Sequence, residues 1–294
     1  MTTAAPAPIR LGFVGLGHMG TPIACALLEA GFAVTVWGRN PHKLEPAMKR
    51  GARAAASAAE VAADSDAVFL CVTDTTAVRT IVFGADGLAR SLARGCVLVD
   101  HSTIDPGETR HMAAELAASS GAEWVDAPVS GGPPAVARKT LVVMAGGTDA
   151  AVARVTPVIL RYAGRMTHMG PAGAGQATKL VNQALCGAGF MLLAETLSFA
   201  RRAGVDAAKV PEALAGGRAG SALLAEYWPR MAKADFTVGG RIDIMLKDLD
   251  MVAAAAKTAG AAMPLTRLAL ELHRLLVAQG HGGEDNAAVV KLYD

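Results

Sequence analysis

Short apolar runs and longer mixed segments alternate through the first half of the chain. Ile9–Val14, Ala33–Trp37, Ala67–Val72, Val97–Asp100, Glu123–Asp126 and Leu141–Ala145 have strand length and are mostly apolar. Between them lie segments of helix-forming residues, Met19–Ala30, Pro41–Arg50, Pro106–Ser120 and Asp149 to about Arg161, the first two closed by Gly31 and Gly51. Apolar strands alternating with helices at this spacing predict an α/β domain whose parallel sheet is covered on both faces. From Gln176 the pattern changes. The stretch to Ala203 has good helix formers, no proline, and Gly204 placed to end it. At about 1.5 Å per residue this helix is roughly 40 Å long. Further helices are expected at Ala207–Ala215, Ser221–Ala232, Ile242–Ala259, Leu265–Gln279 and Ala287–Leu292, and no strand after about Met169. The expected organisation is a loose tail over 1–8, an α/β domain over 9–169 and an all-α domain over 170–294.

Composition narrows the class. With 294 residues, 52% hydrophobic and 18% charged, the chain can bury a sizeable core and is not globally disordered. A net charge of +2, with acids and bases interspersed, gives no case for nucleic acid or an anionic membrane. The four cysteines lie in apolar surroundings without CxxC spacing and read as buried thiols of a reducing compartment. The seven histidines show no ligand spacing, so no metal is expected. Met1–Pro8 lacks a basic or apolar leader. Leu185–Ala200, interrupted by Glu195, reads as too short and too polar to cross a bilayer. A soluble, cytoplasmic protein is the expectation.

Gly15-Leu16-Gly17-His18-Met19-Gly20 follows the first strand and opens the first helix. In that setting the glycines form a dinucleotide fingerprint: one for the tight turn, one for close approach of the pyrophosphate, one for packing of helix on strand. At the end of the second strand, where a carboxylate would hold the ribose hydroxyls of NAD, this chain has Gly38-Arg39-Asn40 and then Lys43. The space at Gly38 and the planar fork of Arg39 favour NADP over NAD. Cys71-Val72-Thr73 and Asp100-His101-Ser102-Thr103 end later strands, where ligands collect in open α/β sheets. Thr103 and Ser102 are positioned to donate to the nicotinamide or its ribose; Asp100 and His101 read equally as turn formers.

Two further segments carry chemistry. Asp126-Ala-Pro-Val-Ser130-Gly131-Gly132 ends a strand with a hydroxyl and exposed backbone N–H groups, a loop able to grip a small carboxylate but also ordinary turn chemistry. Lys179 stands in Gly170-Pro-Ala-Gly173-Ala-Gly175-Gln-Ala-Thr-Lys179-Leu-Val-Asn182, at the start of the long helix. Burying an ammonium is unfavourable unless it is used.

In this order the motifs resemble the β-hydroxyacid dehydrogenase family, the group of 3-hydroxyisobutyrate dehydrogenases and tartronate semialdehyde reductases. The resemblance runs from about Ile9 to the C-terminus, and also rests on Arg241-Ile-Asp-Ile-Met-Leu-Lys247-Asp-Leu, Met263-Pro-Leu-Thr266 and Gly280-His-Gly-Gly-Glu-Asp285. It implies a Rossmann-like N-terminal domain, which the residues after the second strand make NADP-binding, then a long connecting helix and a helical domain for substrate and dimerisation, giving a homodimer or homotetramer. It also implies that Lys179 is catalytic, that Ser130, Gly131, Gly132 and Asn182 bind a small carboxylate-bearing aldehyde or hydroxyacid, and that Lys247 reaches the cofactor. An adjacent charge pair with Asp248 is the competing role for Lys247. The chain departs from the family in having Pro133-Pro134 and Arg138-Lys139 where small residues and a glycine are usual, Gly38 where many NAD-using members carry Asp, and Val72-Thr73 for the usual Leu-Pro.

Chemistry agrees with the resemblance. Hydride transfer to a carbonyl generates an alkoxide that needs a proton and nearby positive charge. Lys179 and Asn182, at i and i+3, share one helix face. Partial burial and a second cation would bring the lysine toward a useful acidity. Two rivals remain: an imine reductase on the same fold, whose usual donor at this position is neutral or acidic, and a catalytically silent NADP-binding interaction module.

Overall fold

In the computed structural model, which describes residues 9–293, the apolar runs of the first half become strands of one nine-stranded sheet. The tail over 1–8 lies outside the described residues. The strands are β1 (Arg10–Val14), β2 (Ala33–Trp37), β3 (Arg53–Ala54), β4 (Ala67–Leu70), β5 (Val97–Asp100), β6 (Glu123–Asp126), β7 (Val129–Ser130), β8 (Leu141–Gly146) and β9 (Ala163–Gly170). Their order is β3-β2-β1-β4-β5-β6-β8-β7, with β9 also on β8. From β3 through to β6 every pairing is parallel. β8 runs antiparallel to β6 and β7 and parallel to β9, so the sheet is mostly, not wholly, parallel.

The helices are α1 (Gly20–Glu29), α2 (Glu45–Met48), α3 (Ala58–Ala63), α4 (Thr75–Phe83), α5 (Pro106–Ser120), α6 (Gly132–Ala137), α7 (Asp149–Ile159), α8 (Ala174–Arg202), α9 (Val210–Leu214), α10 (Ala222–Ala232), α11 (Ile242–Ala259) and α12 (Pro264–Ala278). Local chemistry sets many of their starts. Ser57, Asp74, Asp105, Thr148 and Ser221 each accept a backbone N–H of the following first turn. Gly121 and Gly260 end α5 and α11 in the left-handed conformation.

β4 and β5 are buried at every residue, the expected mark of strands sandwiched between helices. Phe69, Val97 and Val99 pack into the core of one face, Val68, Leu70 and Leu98 into that of the other. Each such side chain contributes about 1.5–3 kcal/mol relative to exposure. β9 was not expected from sequence, because most of it is exposed and its Arg165, Thr167 and His168 break any apolar period. Pro41–Arg50 is not one helix but a 3₁₀ turn at Pro41–Leu44 followed by α2, with Pro46 in the first turn of α2. Much of the Pro133–Lys139 segment, expected as a loop, is α6, whose prolines occupy its first turn.

The chain divides into two compact units, ending and beginning at Lys179 and Leu180. The expected bound on sequence is 169/170; the compact division lies farther on, and the first turn of α8 is fastened to the sheet. In the second unit Phe190, Met191, Ala194 and Leu197 of α8 share a core with Leu224, Trp228 and Met231, with Ile242, Met245 and Leu249, and with Ala269, Leu270 and Leu276. A 3₁₀ segment, Asn286–Leu292, closes that core with Ala287–Val290. By length and composition α8 is long and apolar enough to cross a membrane, more so than the Leu185–Ala200 stretch alone suggests, a property it shares with core helices of soluble proteins.

Candidate cofactor and catalytic site

The strand order reverses between β1 and β4, and the fingerprint loop lies at that switch point. Gly15 is left-handed (φ 92°), donates to the Trp37 carbonyl at 3.1 Å, and would thrust a Cβ to 2.3 Å from the Cys71 carbonyl oxygen. A Cβ on Gly20 would lie 2.0 Å from the Gly15 carbonyl oxygen. A Cβ on Gly17 would meet nothing within 4 Å. Thus Gly15 and Gly20 are dictated by packing, whereas the space beside Gly17 is open. α1 has no acidic residue in its first turn and no side-chain cap, so neither reduces the positive end of the helix. Leu16 is buried beneath the loop, Met19 is half-buried, and His18 is exposed.

Arg39 and Asn40 are exposed after β2. The Asn40 side chain accepts the His42 N–H at 3.0 Å and so caps the 3₁₀ turn. Gly38 has room, its would-be Cβ lying 3.4 Å from Leu44 Cδ2.

At the ends of β4 and β5 the candidate residues are joined. Val72 N–H donates to Ser102 Oγ at 2.9 Å, and Ser102 N–H to Asp100 Oδ1 at 2.9 Å. The Thr73 hydroxyl donates to Asp74 at 2.8 Å. His101 is structural. Its Nδ1 faces the Ala127 carbonyl at 2.6 Å and must donate to it, leaving Nε2, at 2.7 Å, to accept the Tyr162 hydroxyl. Burial lowers the imidazole to about 4, so it is neutral near pH 7. Burial also drives Asp100 up to about 7, with Asp126 alongside adding to the effect.

Asp126 and Gln176, quoted in the sequence motifs without a role, form the joint between sheet and lysine-bearing helix. Asp126 is fully buried and accepts the N–H groups of Gly173 (2.7 Å) and Gln176 (2.8 Å). Burial holds it above its ordinary value, against the lowering effect of those N–H groups. The Gln176 amide donates to Ser102 O (2.7 Å) and accepts from Ile104 N–H (3.1 Å), on either side of Thr103. Lys179, one turn along α8, is buried with 7% of its surface exposed. The only signal in the sequence was a carboxylate and an amide among otherwise apolar, tightly packed residues.

Ser130 ends β7, half-exposed, and Gly131 and Gly132 are left-handed (φ 124° and 67°) at the start of α6. A hydroxyl and two backbone N–H groups sit there ahead of two prolines that have none. Asn182, half-buried, donates to Gln183 Oε1 at 2.8 Å. In the second unit Lys247 Nζ lies 2.9 Å from Asp248, which also accepts from Gln183 Nε2 at 2.5 Å. The adjacent charge pair is therefore present at Lys247.

Comparison with known proteins extends over nearly all of the described chain. Residues 10–170 match the model for the NAD binding domain of 6-phosphogluconate dehydrogenase. Residues 173–293 match that for NAD-binding of NADP-dependent 3-hydroxyisobutyrate dehydrogenase. A probable 3-hydroxyisobutyrate dehydrogenase-like 2, mitochondrial, from Arabidopsis thaliana is 38% identical over 277 residues, 94% of this chain and 91% of that one. The 2-hydroxy-3-oxopropionate reductase of Escherichia coli (strain K12) is 35% identical, with 96% of each chain covered. The crystal structure of a 3-hydroxyisobutyrate dehydrogenase from Salmonella typhimurium superposes with a TM-score of 0.86 at 32% identity, covering 97% of this chain and 99% of that one.

Proposed function

This chain belongs to the β-hydroxyacid dehydrogenase family and is a nicotinamide-dependent dehydrogenase acting on hydroxyl groups; within that class we propose that it interconverts a small β-hydroxyacid and its semialdehyde, using NADP, with Lys179 as the acid–base group. The observation that carries the reading is the buried Lys179 on a helix whose first turn is joined to the strand ends beside the fingerprint loop. The open space at Gly17 and the uncapped end of α1 suit a pyrophosphate. When bound, the nicotinamide supplies or takes up the hydride.

The chain's own residues do the rest. Gly15–Gly20 hold the pyrophosphate, Arg39 pairs with the 2′-phosphate in the room left by Gly38, and Val72, Thr73 and Thr103 border the nicotinamide end. Ser130 and the N–H groups of Gly131 and Gly132 hold the substrate carboxylate, with Asn182 a further hydrogen-bonding group three positions beyond the lysine on the same helix. Lys179 delivers a proton to the carbonyl oxygen as it gains negative charge, or removes it from the hydroxyl in the reverse direction. We also propose a homo-oligomer formed along α8, where Val181, Leu185, Leu192 and Phe199 are each at least 60% exposed on one face. Sedimentation of a monomer at micromolar concentration would count against it.

The test of function is a panel of succinic, methylmalonic and tartronic semialdehydes and glyoxylate, each with NADPH and NADH. Reduction of at least one, faster with NADPH, is expected. Activity confined to cyclic imines, or none with any substrate, overturns the reading.

A further inference from the structure

The start of α8 is capped from outside the helix. A helix leaves its first N–H groups without internal partners, and they are ordinarily met by a side chain at its own N-cap. Here the acceptor is Asp126, on the end of β6, 47 and 50 residues away from the donors Gly173 and Gln176. Glycines make the space for it. A Cβ on Gly146 would lie 2.6 Å from Asp126 Oδ1; one on Gly175 would lie 2.8 Å from Oδ2 and 2.4 Å from the Met144 carbonyl oxygen. Among the described residues no cation pairs with this carboxylate, so its partners are the N–H groups and the positive end of the helix.

Gln176 adds a second fastening in a different direction. Its side chain bridges Ser102 O and Ile104 N–H, and Ser102 Oγ in turn receives Val72 N–H. One glutamine thus ties the lysine helix directly to the Ser102–Ile104 segment, which is itself bonded to Val72 through Ser102. Lys179 lies three residues beyond it, about 4.5 Å along the helix axis. Any tilt or slide of this first turn moves the lysine relative to those segments.

We propose that Asp126 and Gln176 are positioning residues of the reaction: they hold Lys179 in register with Val72 and the Ser102–Ile104 segment, and thereby set the geometry of proton delivery against hydride transfer. The proposal rests on the reading of Lys179 as the acid–base group. It does not involve either residue touching substrate. A displacement near 1 Å at a reacting group lowers a rate by about 100-fold, whereas ground-state binding by the fingerprint and carboxylate loops is untouched.

The test combines Asp126→Asn and Gln176→Met with Lys179→Ala, measuring turnover, substrate KM, NADPH affinity and thermal midpoint for each. The expected result for either positioning variant is kcat lower by about 10- to 100-fold, with KM and NADPH affinity within about threefold of the parent. In the Lys179→Ala background neither substitution lowers kcat further, because both act through the lysine. Unchanged kcat in the folded variants, losses confined to KM or cofactor affinity, or a full additional loss in the Lys179→Ala background would overturn the proposal while leaving the lysine assignment standing. Near-normal turnover of Lys179→Ala itself would instead remove the functional reading and the positioning role together. If Asp126→Asn does not fold, Gln176→Met carries the test, since its backbone N–H to Asp126 is retained.

Discussion

Asp126 in the first unit and Asp285 in the second are both fully buried carboxylates that accept backbone N–H groups beside glycines. Asp285 receives Gly239 and Gly240 N–H at 2.7 and 2.9 Å and caps the final 3₁₀ segment through Ala287 N–H at 2.9 Å. It also pairs with Arg230 at 3.0 Å, and that guanidinium lies over the Tyr227 ring. Asp126 has the N–H groups and, among the described residues, no such cation. A buried charge with its counter-ion is a closed arrangement that serves the fold: remove one member and the other is stranded. A buried carboxylate held only by a helix start is less well compensated, and burial accordingly keeps it above its ordinary value. The difference teaches that the second unit uses its aspartate to hold itself together, whereas the first uses its aspartate to fix the start of the lysine-bearing helix, which on the proposal above aims Lys179.

That contrast can be broken most directly at Asp285. Asp285→Asn strands Arg230 and is expected to cost about 3–5 kcal/mol of stability, read by chemical denaturation. A loss below about 1 kcal/mol would place Asp285 among the weakly coupled surface pairs. At the other aspartate the effect should fall on turnover.

Lys179→Ala, the group being aimed, should lower kcat by at least about 100-fold while NADPH binding, followed by fluorescence, stays near the parent's. Turnover within a fewfold of the parent would show that the first unit aims nothing there.

Asp100, neighbour of Asp126 in the sheet register, sharpens the comparison through pH. Its folded value of about 7 stands above the ordinary 3.8, so the folded chain keeps a proton that the unfolded chain has released. The corresponding stability is present below the unfolded value and is lost as pH rises through the folded one. Denaturation midpoints should therefore decline between pH 4 and about 7 relative to Asp100→Asn. Parallel pH profiles for the two proteins would contradict this.

The smallest effect is expected at Gly38→Asp, which has space for its Cβ 3.4 Å from Leu44 and should shift the NADPH/NADH ratio of kcat/KM toward NADH. An unchanged ratio would place cofactor choice elsewhere.

What was legible in the sequence was what repeats along it. Runs such as Val68–Leu70 and Leu98 declare a sheet buried on both faces, and α11 has the bounds its pattern predicts, Ile242–Ala259. The fingerprint was legible because its three glycines follow a strand and open a helix. β9 was not, since an exposed edge strand needs no apolar period. Nor was the Asp126–Gln176 joint, whose partners are brought together only by the sheet's register and by two glycines far apart in sequence. Likewise Lys247 beside Asp248 is visible as a dipeptide, but only the structure shows that Gln183 holds the same carboxylate.

Of the three fingerprint glycines, two answer to the protein's own backbone and one, on the proposed function, to a guest. Gly15 and Gly20 would each drive a methyl group into a carbonyl, so substitution there is a folding question. At Gly17 a methyl group meets no atom of the chain within 4 Å. Alanine at that position would intrude only on a visitor, and the affinity it removes would read, like a feeler gauge, how closely the dinucleotide passes the wall.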